Sequence, residues 1–319
     1  MAVGPREALL IEGSSGYRGT AMITGVAWSP SDVIGLVKTH STTTATYRPV
    51  SSPLSRAPTR QEAEHLTDVS AGHGNALPLT GERTVPGVAE ENYWFRRHEA
   101  AYLALRPYCV DAALLEAGCG EGYGANLLAG DARAVIALDY DATTVAHVHR
   151  AYPSVHPVRG NLAALPLRSS TVDVVANLQV IEHLWDQAGF LHECHRVLRP
   201  GGRLLVTTPN RITFSPGRDT PLNPFHTREL DPDELCELCE ANGFRVELLA
   251  GLRHGPRLRA AEVALGGSIV DLQVAAAVAA TPWPMALRKA VAGVEAGDFE
   301  IGTTDLQSCL DIVAVAVRR

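Results

Sequence analysis

Nowhere does this chain run to the roughly 18 consecutive apolar residues that a bilayer-spanning helix needs. Its first residues also lack a basic segment followed by an apolar core, the pattern of a secretory leader. Basic charge is scarce: 28 Lys and Arg stand against 35 Asp and Glu, a formal net charge of −7. A sequence-independent binder of nucleic acid carries a basic face, so that class is disfavoured. Six cysteines (Cys109, Cys119, Cys194, Cys236, Cys239 and Cys309) in 319 residues are too sparse for a disulfide scaffold. Metal-ligand spacing is missing as well. Cys236-x-x-Cys239 sits inside a helical pattern with no second pair, and reads as core thiols rather than zinc ligands. His192 and His195, one helical turn apart, read as a solvated flank. No metal is assigned. These absences leave a reduced, soluble, cytoplasmic protein, monomer or homodimer, with neither a membrane span nor a nucleic-acid partner.

What remains is ordinary globular composition, 46% hydrophobic and 20% charged. Residues 1–75 stand apart. The stretch "KTHSTTTATYRPVSSPLSRAPTR" (38–60) has no sustained period and too little apolar surface to offset its ordering entropy, so a disordered or mobile tail is expected. From "ENYWFRRHEAAYLALRPY" (91–108) the pattern becomes regular, with Tyr93, Trp94, Ala101, Tyr102 and Leu105 at helical spacing. Short apolar runs at 112–117, 134–139, 172–178 and 202–209 then alternate with helical patterns at 124–129, 142–151, 186–198 and 231–242. Runs at 244–250 and 310–319 close the series, the latter after an Ala/Val-rich helical insertion over 254–298. Continuous Val/Leu strands between helices predict an α/β domain over 76–319, a mostly parallel sheet covered on both faces.

"LLEAGCGEGYG" (114–124) carries the chemistry. Four glycines close together lose much backbone freedom on folding, so they need a steric reason, such as a sharp turn held close to a ligand. They fall at the carboxyl end of the first central strand and open a helix, where α/β sheets bind ligands. Asp139 ends the next strand and is placed to accept from both hydroxyls of a ribose. A nucleoside-containing ligand follows. Gly120-x-Gly122-x-x-Ala125 also satisfies a relaxed dinucleotide fingerprint, a weak signal when alone. Glu116 argues against pyrophosphate and suits a ligand with an ammonium group, which the methionine end of S-adenosylmethionine has.

Those segments, with "ALDYD" (137–141), "GNLAALPLRSSTVDVVANLQVIEHL" (160–184) and "RVLRPGGRLLVTTPN" (196–210), resemble the class I S-adenosylmethionine-dependent methyltransferases in order over about 112–250. "LTGERTVPG" (79–87) followed by "ENYWFRRH" is similar to the lid of bacterial glycan-modifying members, and "RITFSPGRDTPLNPFHTREL" (211–230) to their substrate loop. Taken together, 79–319 looks most like the actinobacterial methyltransferases associated with methylglucose lipopolysaccharide biosynthesis. The resemblance implies a Rossmann-like sheet of seven strands whose final strands form a reversed pair at the edge. It also implies a cofactor, S-adenosyl-L-methionine, and a carbohydrate substrate. Glu116, Gly118 and Gly120, with Cys119 filling the turn between, would line the methionine part. Asp139 would hold the ribose and Tyr140 would lie against the adenine. Asn161 and Leu162 match a position where the family often has Asp and an apolar residue; the Asn161 carbonyl still accepts from an adenine amino group. Gln179 would face the sulfonium.

A sugar hydroxyl that attacks a methyl group benefits from a base, and histidine ionises near neutrality. Of twelve histidines, His183 in "VIEHLW" and His226 in "NPFHTREL" are the candidates, the first following the fourth strand and the second in a polar loop beyond the fifth. Phe214, Arg218, Asp219, Asn223, Phe225 and Arg228 share that loop, whose aromatic and polar mixture suits the apolar faces and hydroxyl edges of sugars. Arg96, Arg97 and His98 on the lid helix read equally as cofactor or substrate contacts and as a solvated face. Three alternatives stand beside a sugar O-methyltransferase: a quinone or small-molecule acceptor, a non-catalytic cofactor-binding partner, and an NAD-dependent oxidoreductase disfavoured by Glu116.

Overall fold

The computed structural model describes residues 9–12, 18–21, 83–278 and 282–319. Most of the expected tail over 1–75 therefore lies outside the described residues. Within it, β1 (Leu9–Glu12) and β2 (Arg18–Ala21) pair antiparallel.

The elements that follow are α1 (Asn92–Leu105), β3 (Ala113–Ala117), α2 (Tyr123–Leu128), β4 (Ala134–Asp139), α3 (Ala142–Ala151) and β5 (His156–Arg159). Next come β6 (Val172–Leu178), α4 (Gln187–Val197), β7 (Leu198–Pro209), the single turn α5 (Arg211–Phe214), α6 (Pro232–Ala241) and β8 (Phe244–His254). The chain ends with α7 (Pro256–Leu265), α8 (Ile269–Val278), α9 (Met285–Ala292), β9 (Phe299–Gly302) and β10 (Asp311–Arg318). Local chemistry fixes the helix starts. Asp141 caps α3 by accepting from the amides of Thr143 and Thr144, and Asp231 with Glu234 forms a capping box ahead of Pro232 on α6. Each such cap is worth about 1 kcal/mol.

The main sheet has eight strands in the order β5-β4-β3-β6-β7-β10-β8-β9. The first five run parallel, and β10, β8 and β9 join antiparallel. The reversed pair expected at the edge is therefore present, with β10 inserted between β7 and β8. The eighth strand, β9, is the departure from seven. It follows the helical insertion directly and zips onto the far end of β8, with Leu252 facing Ile301 and His254 facing Phe299.

Alternate side chains of each strand enter opposite cores. Leu114 and Val174 pack with Tyr93, Tyr102, Leu105 and Leu128, while Leu115, Val175 and Leu204 pack with Phe190, Leu191, Leu235 and Phe244. Helix α1 thus lies over the face and strand ends where the glycine turn emerges, and residues 83–91 lead into it across that turn. Among the described residues no single helix is long and apolar enough to cross a membrane.

Candidate active site

Two regions meet at the carboxyl ends of the parallel strands. The first is the turn between β3 and α2. Gly118 adopts φ +89, and a Cβ there would come within 2.7 Å of Val180 Cγ1, so packing against the loop after β6 demands glycine. Gly120, at φ +51, is different: the nearest atom to its missing Cβ is Arg83 Cβ, 3.9 Å away. Its backbone is thus left open on the side where a ligand approaches. The Gly118 and Cys119 amides donate to Leu138 O at 2.8 and 2.9 Å, which ties the turn to the end of β4.

Asp139 stands beside that turn. Its Oδ2 accepts from Gly120 N at 3.0 Å and its Oδ1 from Asp141 N at 2.9 Å. Burial raises its pKa, and those amides pull it back. Glu116 is 1% exposed; its Oε1 accepts from the Tyr102 hydroxyl at 2.6 Å, whereas the buried Oε2 has no partner. Desolvation pushes its carboxyl up to about 8. An unpaired buried oxygen, an open glycine and a carboxylate at the second strand's end fit the methionine and ribose parts of S-adenosylmethionine. Tyr140 is 66% exposed at the mouth. Asn161 is exposed and its Oδ1 accepts from Ala163 N at 2.9 Å, which holds a short turn beside the half-buried Leu162.

The second region is a cavity of about 440 Å³. Its walls bring together Arg83 and Thr84 before the lid helix, Trp94, Arg97 and His98 on it, Gln179 and Glu182–His183 after β6, and Phe214, Asn223 and His226 from the loop after β7. Val274 and Ala277 of α8 close another side. Arg83 also pairs with Asp141 at 3.5 Å, so one segment touches both regions. Gln179 takes φ +58 and donates from Nε2 to Thr207 Oγ1 at 3.2 Å, which turns the chain sharply out of β6 into the cavity wall.

His183 and His226 meet edge to face with ring centroids 4.8 Å apart. His183 Nδ1 lies 3.0 Å from Phe225 O, and because a carbonyl only accepts, that nitrogen carries the proton. His226 Nδ1 donates to Glu229 Oε1 at 2.7 Å. Its Nε2 accepts from Asn223 Nδ2 at 3.0 Å, an assignment fixed by Asn223 Oδ1 accepting from Phe225 N. Burial first, then the neighbouring His226, lowers His183 to about 4. Phe214 stacks on His226 at 5.5 Å and meets Trp94 at 6.5 Å, giving an aromatic strip along the cavity.

Not every loop residue singled out in the sequence reaches this cavity. Phe225 is 41% exposed and contributes its carbonyl, Arg228 turns to Glu234 at 3.7 Å, and Arg218 and Asp219 are exposed and absent from the lining. Conversely, helix α1 contributes more to this region than its sequence pattern implies. Arg97 is not solvated: 2% exposed, it forms a two-pronged pair with Asp311 at 2.6 and 2.5 Å. His98 is half-buried against Thr84 and Tyr123, and desolvation lowers it to about 4. Glu182 and Trp94 were missed as site residues. The signal for Glu182 was an acid between an apolar run and a candidate base, "VIEH".

A family model described as a methyltransferase domain matches residues 115–206, from the glycine turn to β7. A protein of Mycolicibacterium smegmatis, named as a probable S-adenosylmethionine-dependent methyltransferase, is 60% identical over 247 residues, covering 76% of this chain and 96% of its own length. A ubiquinone biosynthesis O-methyltransferase of Azotobacter vinelandii is 30% identical over 165 residues, 46% of this chain and 70% of that protein. Among solved structures, the complex between the Haloferax volcanii Trm112 methyltransferase activator and a methyltransferase holds a chain with TM-score 0.50 and 18% identity. That match covers 72% of this chain and 90% of the other, a likeness of fold.

Proposed function

Because this chain belongs to the class I S-adenosylmethionine-dependent methyltransferases, with S-adenosylmethionine as its cofactor, we propose that it methylates a sugar hydroxyl during synthesis of a cytoplasmic polysaccharide of the methylglucose lipopolysaccharide type. The observation that carries this reading is the composition of the 440 Å³ cavity beside the glycine turn. Trp94, Phe214 and the His226 ring offer flat apolar surface for a pyranose face. Arg97, Gln179, Asn223 and His183 offer polar atoms for its hydroxyl edge.

When bound, S-adenosylmethionine supplies a methyl carbon on a positively charged sulfur. Glu116, Gly118, Cys119, Gly120, Asp139, Tyr140, Asn161 and Leu162 would hold it so that the methyl faces Gln179 and the cavity. The acceptor oxygen attacks in line, and its proton passes to His183 Nε2, which no other group engages, with the His226 ring packed against it. Alignment by the cavity walls contributes about 7–11 kcal/mol in favourable intramolecular cases. His183 adds about 10²–10⁴-fold as a base.

A second reading, a small-molecule or quinone-precursor acceptor, is supported by the likeness to the ubiquinone biosynthesis O-methyltransferase. Labelled S-adenosylmethionine, the purified chain and a panel of glucose- or mannose-based oligosaccharides and catechols separate the two. Mass spectrometry of hydrolysed products should place the label on a sugar oxygen. Transfer to catechols alone would overturn the carbohydrate reading.

A further inference from the structure

The side chains of Glu182, His183 and His226 converge so that one ligand atom from each lies within 4.8 Å of the others. All three line the cavity. Both imidazoles spend the Nδ1 proton on a fixed acceptor, His183 on Phe225 O and His226 on the Glu229 carboxylate, which leaves the Nε2 lone pair of His183 unengaged and that of His226 held by Asn223 Nδ2 alone. A carboxylate or carbonyl behind a ligating histidine is the usual way proteins fix the tautomer and ring plane of a metal ligand. Glu229 is itself buried, so its bond to His226 is shielded from solvent.

Glu182 completes the set. It is 1% exposed, and its Oε2 accepts from Thr208 Oγ1 at 3.0 Å. A carboxylate this deeply buried needs a proton or a positive partner. The buried guanidinium of the same cavity, Arg97, pairs with Asp311 through Nε and Nη2, and its remaining Nη1 makes no bond to Glu182.

We propose that Glu182, His183 and His226 bind a divalent transition-metal cation whose open positions face the acceptor. Two imidazoles and one carboxylate suit Zn²⁺ or Fe²⁺ better than Mg²⁺ or Ca²⁺, which favour all-oxygen shells. The inference rests on the reading of this cavity as the acceptor site. A hydroxyl oxygen bound to the cation loses its proton more readily. The O–H bond breaks, the proton goes to water, and the electron pair stays on the oxygen that attacks the methyl carbon. The C–S bond then breaks with its pair left on sulfur. In that state the two Nε2 atoms serve as ligands, and Asn223 gives up its bond to His226. Glu229 is a positioning residue.

The test uses the untagged full chain, stripped with a chelator and titrated with Zn²⁺, Mn²⁺ and Mg²⁺ by calorimetry, and with Co²⁺ by visible absorption. One equivalent of transition metal should bind, with Mg²⁺ at least tenfold weaker. His226→Asn and Glu182→Gln should each lose at least tenfold in affinity. Glu229→Gln should lose about 10–100-fold and shift the Co²⁺ bands, as removal of an outer-shell partner does. Unchanged S-adenosylhomocysteine binding by these variants shows that they fold. Failure of the wild-type chain to bind a stoichiometric cation overturns the inference. So does affinity indifferent to His226→Asn, or methyl transfer undiminished after complete cation removal, which leaves the histidine-base reading standing. Stoichiometric binding with no transfer to any hydroxyl supports the site and removes the O-methylation reading instead.

Discussion

The Tyr102 hydroxyl donates to Glu116 Oε1 across 2.6 Å, joining the lid helix to the first central strand inside the core. Burial dominates the electrostatics of this carboxyl and pushes it from the ordinary 4.5 up to about 8. The folded chain therefore keeps a proton that the unfolded chain has already lost between those values. With more protons bound in the native state, stability is greatest below the unfolded value and falls as pH rises through about 8. Thermal melts of the cofactor-free protein should show that decline between about pH 6.5 and 8; below that window His98 and His183, both lowered to about 4 by burial, add stability as pH rises and oppose it. Glu116→Gln should remove part of it, and Glu182, also raised to about 8 by burial, should contribute another part. An unchanged slope in Glu116→Gln would mean that the carboxyl is not desolvated as the structure places it.

Asp139 is braced by two amides at the end of β4, next to the one glycine of the turn, Gly120, whose missing Cβ would meet nothing nearer than Arg83 Cβ at 3.9 Å. A charged acceptor for hydroxyl donors contributes about 1.5–3 kcal/mol, so Asp139→Ala should weaken S-adenosylhomocysteine binding about ten- to hundredfold. Asp139→Asn, which keeps one acceptor oxygen, should lose less. Calorimetry on both variants checks this, and equal wild-type affinity would put the ribose elsewhere.

The glycine-turn end of this candidate site was legible because it is local. Gly118, Gly120 and Asp139 act through strand ends and turn geometry, which periodicity and glycine spacing report directly. The cavity end was only half legible. His183 and His226 lie 43 positions apart, and nothing in either segment says that their rings touch; a loop bond, His183 Nδ1 to Phe225 O, brings them together. Arg97 shows the opposite failure. An arginine on an amphipathic helix reads as solvent-facing, yet its partner Asp311 is 214 residues away at the start of β10. Strand β9 escaped for a related reason: four residues, "FEIG", become a strand because the exposed edge of β8 offers them a ladder. Long-range pairing decides such cases, and no short window contains it.

Breaking the Arg97–Asp311 pair should therefore be costly. Removing one member of a buried ion pair leaves an uncompensated charge, worth about 3–5 kcal/mol. Arg97→Met should lower the unfolding free energy by that order in urea titrations. The double variant Arg97→Met with Asp311→Leu should recover much of it, because neither charge is then stranded. Equal destabilisation in the single and double variants would show that the two residues do not act as a pair.

His183 and His226 should separate under kinetics. His183 leaves Nε2 unengaged, whereas both nitrogens of His226 have partners, Glu229 and Asn223, and its ring stacks on Phe214. His183→Ala should bind S-adenosylhomocysteine normally and lose turnover by about 10²–10⁴-fold. His226→Ala should lose turnover and also raise the acceptor KM, because it removes part of the aromatic strip. Burial places the His183 ionisation near 4, so the acid limb of the rate profile belongs there and not near neutrality as an unperturbed imidazole would put it. The sign is the same for a proton acceptor and for a cation ligand: both need the neutral ring, present above that pH and lost below it. Rates measured from pH 4 to 9, with acceptor at saturation and at low concentration, test all three statements. Near-normal turnover in both alanine variants would leave alignment by the cavity walls as the source of the catalysis.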